Sequence, residues 1–298
     1  MLAAPFRPTG PTSCPIRLSA AAALTAAWAG SLGGCIDEAT RARMAQSDSI
    51  LGGLQTTPSP REAAAWATDP YDADKKARGT NLILNAPFGG AEAWVNLYRD
   101  YVKPPKPGEI TSPAVRATAA RGLGLHGSPE DVPLLLPLLK DEDKSVRLDA
   151  VKALQRLHNP VAIDPLIELT RLDKEAEPDV RAGAASALGQ YGQPRVLQAL
   201  IAALGDDQLA VSNAALSSLR TLTGNDNLSD DRRAWLKWVA DAKTPFADRR
   251  PYYYPVFQRE PVWLDYVPFV GGPVPNEQSA QPAGMPSIAG AENQRPQP

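Results

Sequence analysis

The chain has few of the residue types from which catalytic and metal centres are built. Its 298 residues include two histidines and two cysteines, and two cysteines are too few for the disulfide framework of a small secreted protein. The 31 basic residues do not exceed the 33 acidic ones, so the basic surplus typical of duplex-binding proteins is missing. No uninterrupted apolar run reaches the roughly eighteen residues of a membrane-spanning helix. This composition argues against a nucleic-acid partner and favours an ordinary globular protein.

Common motifs of enzymes are also missing. The chain contains none of the patterns H-E-x-x-H, G-x-S-x-G and G-x-x-x-x-G-K, which mark zinc proteases, serine hydrolases and phosphate-binding loops. We therefore expect no catalytic residue, no metal, no cofactor and no small-molecule substrate.

Residues 1–34 have the pattern of an export signal. Two arginines and no acid precede an uncharged, alanine-rich stretch at residues 18–34. The stretch ends in Leu-Gly-Gly-Cys at residues 32–35, which resembles the lipobox of bacterial lipoproteins. In that family the signal is cut before the cysteine, whose thiol carries a diacylglyceryl group. The resemblance implies that Cys35 anchors an exported protein to the envelope, facing the periplasm or the cell exterior. The alternative is a plain secretory signal with Cys35 as a free thiol.

The segment 58–242 repeats itself. Four valines, Val115, Val146, Val180 and Val211, are separated by 31, 34 and 31 residues. An alanine follows each valine by four residues and a leucine by eight, so the three side chains form one stripe along a helix. A proline-led apolar segment precedes each of the last three stripes. The pattern predicts antiparallel helix pairs of about 32 residues.

A unit of two helices in which Val-Arg opens the second resembles the short bacterial HEAT repeats that also occur in phycobilisome lyases. The resemblance implies an all-α fold, a right-handed α-solenoid of HEAT-like helical hairpins. Composition predicts disordered N- and C-terminal tails on either side of it. The predicted parts are a signal peptide at 1–34, a tether at 35–57, the solenoid with a terminal cap helix at 58–242, an extended aromatic and proline-rich segment at 243–270, and a disordered tail at 271–298.

An arginine follows the valine in three of the four units, at Arg116, Arg147 and Arg181. At equivalent repeat positions these side chains should lie in a row. The row has two interpretations: a structural ladder that pairs with the acids of the inter-helix turns, or an anion-binding stripe that contacts a protein partner. Ser212 takes the position in the last unit, which suits a ladder that ends at the cap.

The two histidines, His126 and His158, fall at the ends of second helices. A metal pair on adjacent repeats would place them 32 residues apart. No cysteine or acid stands beside either one at ligand spacing. The pattern therefore favours a simpler role, in which each histidine complements a helix C-terminus.

Residues 251–270 concentrate aromatic side chains, and such a surface must be covered by something. One interpretation is a docking element that contacts a protein partner through Tyr253, Phe257 and Trp263. The other is an intramolecular strap that packs back on the solenoid near Trp235. The sequence alone leaves both open.

Three functions fit these features, and the third of them is a structural part of the envelope with no discrete ligand. The first is a membrane-anchored, non-catalytic HEAT-repeat scaffold that binds a protein partner at the cell envelope. The second is a lyase-like or lyase-accessory role, by analogy with the HEAT repeats of phycobilisome lyases, although fold analogy is weak support for function.

The lipid anchor gives the first prediction. Intact-mass measurement of the membrane fraction should show the loss of residues 1–34 together with added acyl chains, because two or more chains anchor a protein stably. Cys35→Ser should release the protein from the membrane or leave it unprocessed. An unmodified thiol at residue 35 in the processed protein would contradict the prediction.

Overall fold

The computed structural model describes residues 58–104, 111–256 and 278–286. The structure below is that of the described residues from Ser59 onward, which belong to one compact unit. The predicted signal, Cys35 and the tether lie outside the described residues, as do Phe257 and Trp263.

Eleven α-helices account for most of the described residues, as the repeat pattern predicts. They are α1 Pro60–Ala67, α2 Ala73–Leu84, α3 Glu92–Tyr101, α4 Pro113–His126, α5 Val132–Leu135, α6 Lys144–Arg156, α7 Ile163–Leu169, α8 Pro178–Leu188, α9 Pro194–Ala203, α10 Leu209–Thr223 and α11 Arg232–Asp241. Short 3-10 turns at Pro129–Asp131 and Leu136–Lys140 flank α5, and a third at Pro160–Ala162 precedes α7. None of the helices in the described ranges is long and apolar enough to cross a membrane.

Local sequence explains where the helices begin and end. Proline occupies the first helical position of α1, α4, α8 and α9. A backbone N–H at this position has no acceptor within the helix, so its absence in proline costs no hydrogen bond. Ser59 and Glu62 form a reciprocal capping box at the start of α1. At the other end of the repeats, Gly224 stops α10 with φ at 68°, a left-handed conformation that glycine adopts without a steric penalty.

The helices stack as antiparallel pairs. The second helices of the pairs, α2, α4, α6, α8 and α10, pack one upon the next in chain order. Each first helix, α1, α3, α5, α7 and α9, packs against the second helix of its own pair. Small side chains permit this close stacking, since a Cβ added at Gly124 would lie 2.7 Å from Ala153 Cα. The described residues therefore form the predicted α-solenoid.

The core follows the predicted stripe. The leucines eight residues after each repeat valine, Leu123, Leu154, Leu188 and Leu219, are fully buried. At the C-terminal end Trp235 of α11 is also fully buried, and its Nε1 donates to the Ser229 carbonyl at 2.8 Å. Because every pair covers the apolar face of its neighbour, an atypical terminal helix is needed to cover the last one.

One short part of residues 271–298, for which composition predicts no order, contacts the solenoid. Strand β1, Tyr254–Val256, pairs antiparallel with strand β2, Gln278–Ala280. Beyond β2, Ala283 N donates to the Arg156 carbonyl and His158 N donates to the Ala283 carbonyl, both at 2.8 Å. Backbone hydrogen bonds to the solenoid therefore order a segment that has little apolar surface of its own. The other residues of 271–298 lie outside the described part.

The buried stripe gives the second prediction. Leu154→Ala or Leu188→Ala should lower the free energy of unfolding by about 2–5 kcal/mol, because each leaves a cavity between stacked second helices. Urea denaturation measures the loss. The control is Leu172→Ala, since that side chain is 58% exposed and its truncation should change stability little. Equal urea midpoints for the buried-leucine variants and the Leu172→Ala control would contradict the burial of these leucines in the core.

Candidate functional site

The arginine row lies in the first turns of α4, α6 and α8, where each guanidinium reaches the turn of the following repeat. Each arginine binds one carboxylate through two hydrogen bonds. The pairs are Arg116 with Asp141 at 2.7 and 3.0 Å, Arg147 with Glu175 at 2.6 and 2.9 Å, and Arg181 with Asp206 at 2.8 and 2.9 Å. We call these six side chains the turn ladder.

Backbone groups join the rungs of the ladder into one network. Arg147 Nη1 donates to the carbonyls of Asp141 and Glu142 at 2.9 and 3.0 Å. Arg181 Nη1 donates in the same way to the carbonyls of Glu175 and Ala176, at 3.0 and 2.8 Å. Each of these arginines therefore binds its own turn through carbonyls and the next turn through a carboxylate. Consecutive turns are tied together as a result.

The acids of the ladder are also turn residues. Each one accepts the backbone N–H two residues further along the chain, at 2.9 Å for Asp141, 3.0 Å for Glu175 and 2.9 Å for Asp206. Burial by itself would raise the pKa of the Glu175 carboxyl, but hydrogen bonds from Arg147 and from the Glu177 N–H outweigh burial and lower it. The carboxylate is therefore held in its charged form by the groups around it.

This geometry favours the structural interpretation of the arginine row. The Arg181 side chain is 1% exposed, and the hydrogen bonds that it donates to Asp206 raise the pKa of its guanidinium. Ser212, which takes the position in α10, donates to the Leu209 carbonyl at 3.1 Å within its own helix. The ladder ends there, and its guanidinium groups face acids of their own chain. An anion-binding stripe for a partner gains no support from these contacts.

The histidines lie at the opposite ends of the second helices. His126 Nε2 is 2.7 Å from the carbonyl of Leu84, the last residue of α2, and must donate because a carbonyl only accepts. His158 Nδ1 lies 3.0 Å from Gln190 Oε1, and its ring stacks on Tyr191. His126 thus complements the C-terminus of the preceding repeat, whereas His158 bonds a side-chain amide. Burial lowers the pKa of His158. Among the described residues no group of His, Cys, Asp and Glu is placed to hold a metal.

A returning segment of chain crosses these same helix ends. Residues 246–256 and 278–286, which we call the strap, contact the ends of three second helices. Arg250 N donates to the Thr221 carbonyl at 2.9 Å, and Arg249 Nη2 donates to the Gln190 carbonyl at 2.6 Å. The strap therefore satisfies carbonyls that a helix C-terminus leaves without intrahelical partners.

Tyr252 anchors the strap between α6 and α8. Its side chain is buried, its hydroxyl donates to the Ser186 carbonyl at 2.8 Å, and it accepts from Gln155 Nε2 at 2.8 Å. Burial raises the pKa of Tyr252. Gly189 leaves room for the ring, since a Cβ added there would lie 3.0 Å from it. For residues 251–256 these contacts favour the strap interpretation. Tyr253 is half-buried, and the proposed partner contacts of Phe257 and Trp263 stay a prediction.

An open groove lies on the first-helix side of the stack. It has a volume of about 1010 Å³ and runs between α5 and α7. Three prolines line it, Pro133, Pro137 and Pro165, and its charged lining mixes lysines with acids. Sequence reasoning did not find this groove, because its lining comes from two repeats.

A family model agrees with the repeat assignment for residues 110–237. The HEAT repeats family model matches residues 110–177 and 169–237. Two solved structures are similar to the chain. A designed armadillo repeat protein has 14% identity, covering 63% of this chain and 94% of that one, with a TM-score of 0.42. The YibA protein of Escherichia coli has 15% identity, covering 77% of this chain and 100% of that one, with a TM-score of 0.32. Curated proteins gave no match. The family match confirms HEAT repeats over residues 110–237.

The ladder gives the third prediction. Arg181→Met should lower the free energy of unfolding by about 3–5 kcal/mol, because it leaves the buried Asp206 carboxylate without its cation. Adding Asp206→Asn should restore much of the loss, since the amide still accepts the Gln208 N–H. Arg171→Met removes an ion pair that is more than half exposed and should leave stability nearly unchanged. A stable Arg181→Met protein in urea denaturation would contradict the role of the ladder.

The strap gives the fourth prediction. Hydrogen exchange should be slow at the amides of Arg250 and Ala283 in the isolated protein, because both are bonded to carbonyls of the solenoid. Tyr252→Ala should speed exchange at both sites together, while Tyr71→Ala, which alters an exposed side chain, should not. Fast exchange in the unaltered protein, slowed only by a partner, would instead support docking in trans.

Proposed function

We propose that the protein is a non-catalytic scaffold that is anchored to the bacterial envelope through lipidated Cys35 and holds a protein partner on its repeat stack. The turn ladder carries this proposal, because the charged side chains that recur in the repeats bind one another. Arg147 and Arg181 each donate to a carboxylate and to two backbone carbonyls of their own chain. Such bonds hold neighbouring repeats in one arrangement, which suits a rigid platform.

The repeat architecture supports a polypeptide as the bound molecule. Stacked helix pairs offer an extended surface to a partner, and HEAT-type folds generally serve protein interactions. The first-helix side of this stack carries the open groove between α5 and α7, and the opposite helix ends carry the strap. The envelope location is supported by the sequence at residues 32–35, which resembles a lipobox.

Affinity capture from cross-linked envelopes tests the binding role. Full-length tagged protein should recover one partner protein in a fixed ratio. The double variant His126→Gln and His158→Gln should recover it equally well once circular dichroism shows that it is folded, because the His126 ring bonds the Leu84 carbonyl and the His158 ring bonds the Gln190 side chain, both within the chain itself. Failure to recover any partner in a fixed ratio would contradict the scaffold.

The same material also tests the lyase alternative. An absorbance spectrum of the captured protein should show no visible band. A bound chromophore, lost in the histidine double variant, would favour the lyase alternative over the scaffold.

A further inference from the structure

The strap ends beside the groove between α5 and α7. Near its end it makes a β-turn, in which Met285 N donates to the Pro282 carbonyl at 3.2 Å and Gly284 has a left-handed φ of 78°. A Cβ added at Gly284 would lie 2.4 Å from Pro129 Cγ and 3.4 Å from the His158 carbonyl oxygen. Pro129 begins the wall of the groove that contains α5, and His158 lies two residues before the wall that contains α7. The turn therefore packs between the starts of the two walls.

The groove runs from these starts toward the turn ladder. Its lining begins about one helical turn along each wall, at Pro133 and Asp164, and reaches Lys140 and Lys174 beside the ladder acids. Pro137 has no N–H with which to continue helix α5, and a tighter 3-10 turn takes its place. The narrow wall leaves room beside α7. Between its two ends the groove is lined by apolar side chains and one acid: Leu136, Pro137, Leu139, Pro165, Leu169 and Glu168.

Ion pairing within the chain leaves the two lysines of the groove without a carboxylate. Seven charged side chains line the groove, and four of them form ion pairs, namely Asp141, Arg147, Glu175 and Asp164. Within the described ranges Lys140, Lys174 and Glu168 form none. Each of the two lysines directly precedes a ladder acid that an arginine already binds.

The acids just outside the groove complete its charge pattern. Asp173 pairs with Arg171, and Glu177 pairs with Lys144. Glu142 is exposed, lies two residues past the first groove lysine and forms no ion pair in the part of the chain that the structure describes. From its start to its far end the groove therefore presents an apolar stretch with one acid, then two lysines, then an acid.

The chain that follows the strap carries the complementary side chains in the same order. Residues 287–298 lie outside the described residues. They contain one branched apolar side chain, Ile288, then one acid, Glu292, then one base, Arg295. An apolar group, an anion and a cation thus follow one another along the segment, as their counterparts do along the groove.

This segment is long enough to reach the lysines. Glu292 comes eight residues after Gly284, and eight residues of extended chain span at most about 26–29 Å. Lys140 comes eleven residues after Pro129, and a rise of about 1.5–2.0 Å per residue makes that wall roughly 17–22 Å long. An extended segment therefore brings Glu292 to the far end of the groove.

We propose that residues 287–298 of this chain bind in the groove between α5 and α7. Ile288 contacts the apolar lining, and Glu292 pairs with the groove lysines. The strap acts as the tether, because Gly284 is held against the solenoid four residues before Ile288. A short tether gives a high effective concentration, which populates even a weak contact. The inference goes beyond the proposed function, since it concerns a contact within the chain and needs no partner.

Site-specific photo-cross-linking tests the contact. Benzoylphenylalanine replaces Ile288 in full-length protein, and light- and heavy-isotope preparations are mixed so that links within one chain are distinguished from links between copies. After irradiation, mass spectrometry should find a link within one chain from position 288 to residues 133–140 or 163–169. The probe placed instead at Tyr71, which is 85% exposed, should give no link to residues 287–298.

Charge reversal tests the pairing with the lysines. Glu292→Lys should lower the yield of the groove link about threefold or more, because an attractive pair becomes a repulsive one. Adding Lys140→Glu and Lys174→Glu should restore the yield. Lys237→Glu reverses a lysine on the cap helix α11 and should leave the yield unchanged. All three lysines are exposed, so these variants are expected to fold, and urea denaturation checks that they do.

Several outcomes would overturn the inference. Position 288 linking only to residues outside the groove, or to none, would show that the segment does not bind there. Links found only between light and heavy chains would assign the groove to a second copy. A yield that Glu292→Lys does not change would remove the pairing with the lysines. Each readout needs no partner protein, so the result is separate from the capture experiment that tests the scaffold.

Discussion

The rest of the structure depends on the pairing of each second-helix arginine with an acid in the turn of the next repeat. A helix pair of this size cannot bury its apolar face alone, so each pair needs its neighbours in a defined arrangement. Apolar contacts are non-directional and would tolerate small slips between neighbours. The bidentate ion pairs of the turn ladder, such as Arg181 with Asp206, are directional and bind successive turns in one register.

The two edges of the stack are held by different chemistry. At the turn ladder, charged side chains bond each other and the carbonyls of the turns. At the opposite helix ends, a returning segment of chain bonds backbone carbonyls, and Tyr252 fills the space between α6 and α8. The ladder satisfies its own edge repeat by repeat. The strap satisfies carbonyls at the other helix ends, those of Arg156, Gln190 and Thr221.

Much of this arrangement is predictable because it is local. The spacing of Val146, Ala150 and Leu154 sets the buried face of α6 without reference to any other helix. The arginine row can also be predicted from the sequence, since equivalent positions in stacked repeats line up. The acid that pairs with Arg116 cannot be predicted in this way, because Asp141, Glu142 and Asp143 follow one another in the same turn. Only the approach of Arg116 from the preceding repeat selects Asp141 among them.

The sequence by itself determined the helix pairs, their buried stripe and the row of arginines, because each follows from spacings of four, eight and about 32 residues. The tertiary structure alone decided the order of residues 278–286 and the course of the strap. Those segments donate hydrogen bonds to backbone carbonyls such as that of Arg156. Every residue has a backbone carbonyl, so the pattern of side chains does not indicate which carbonyl will accept such a bond.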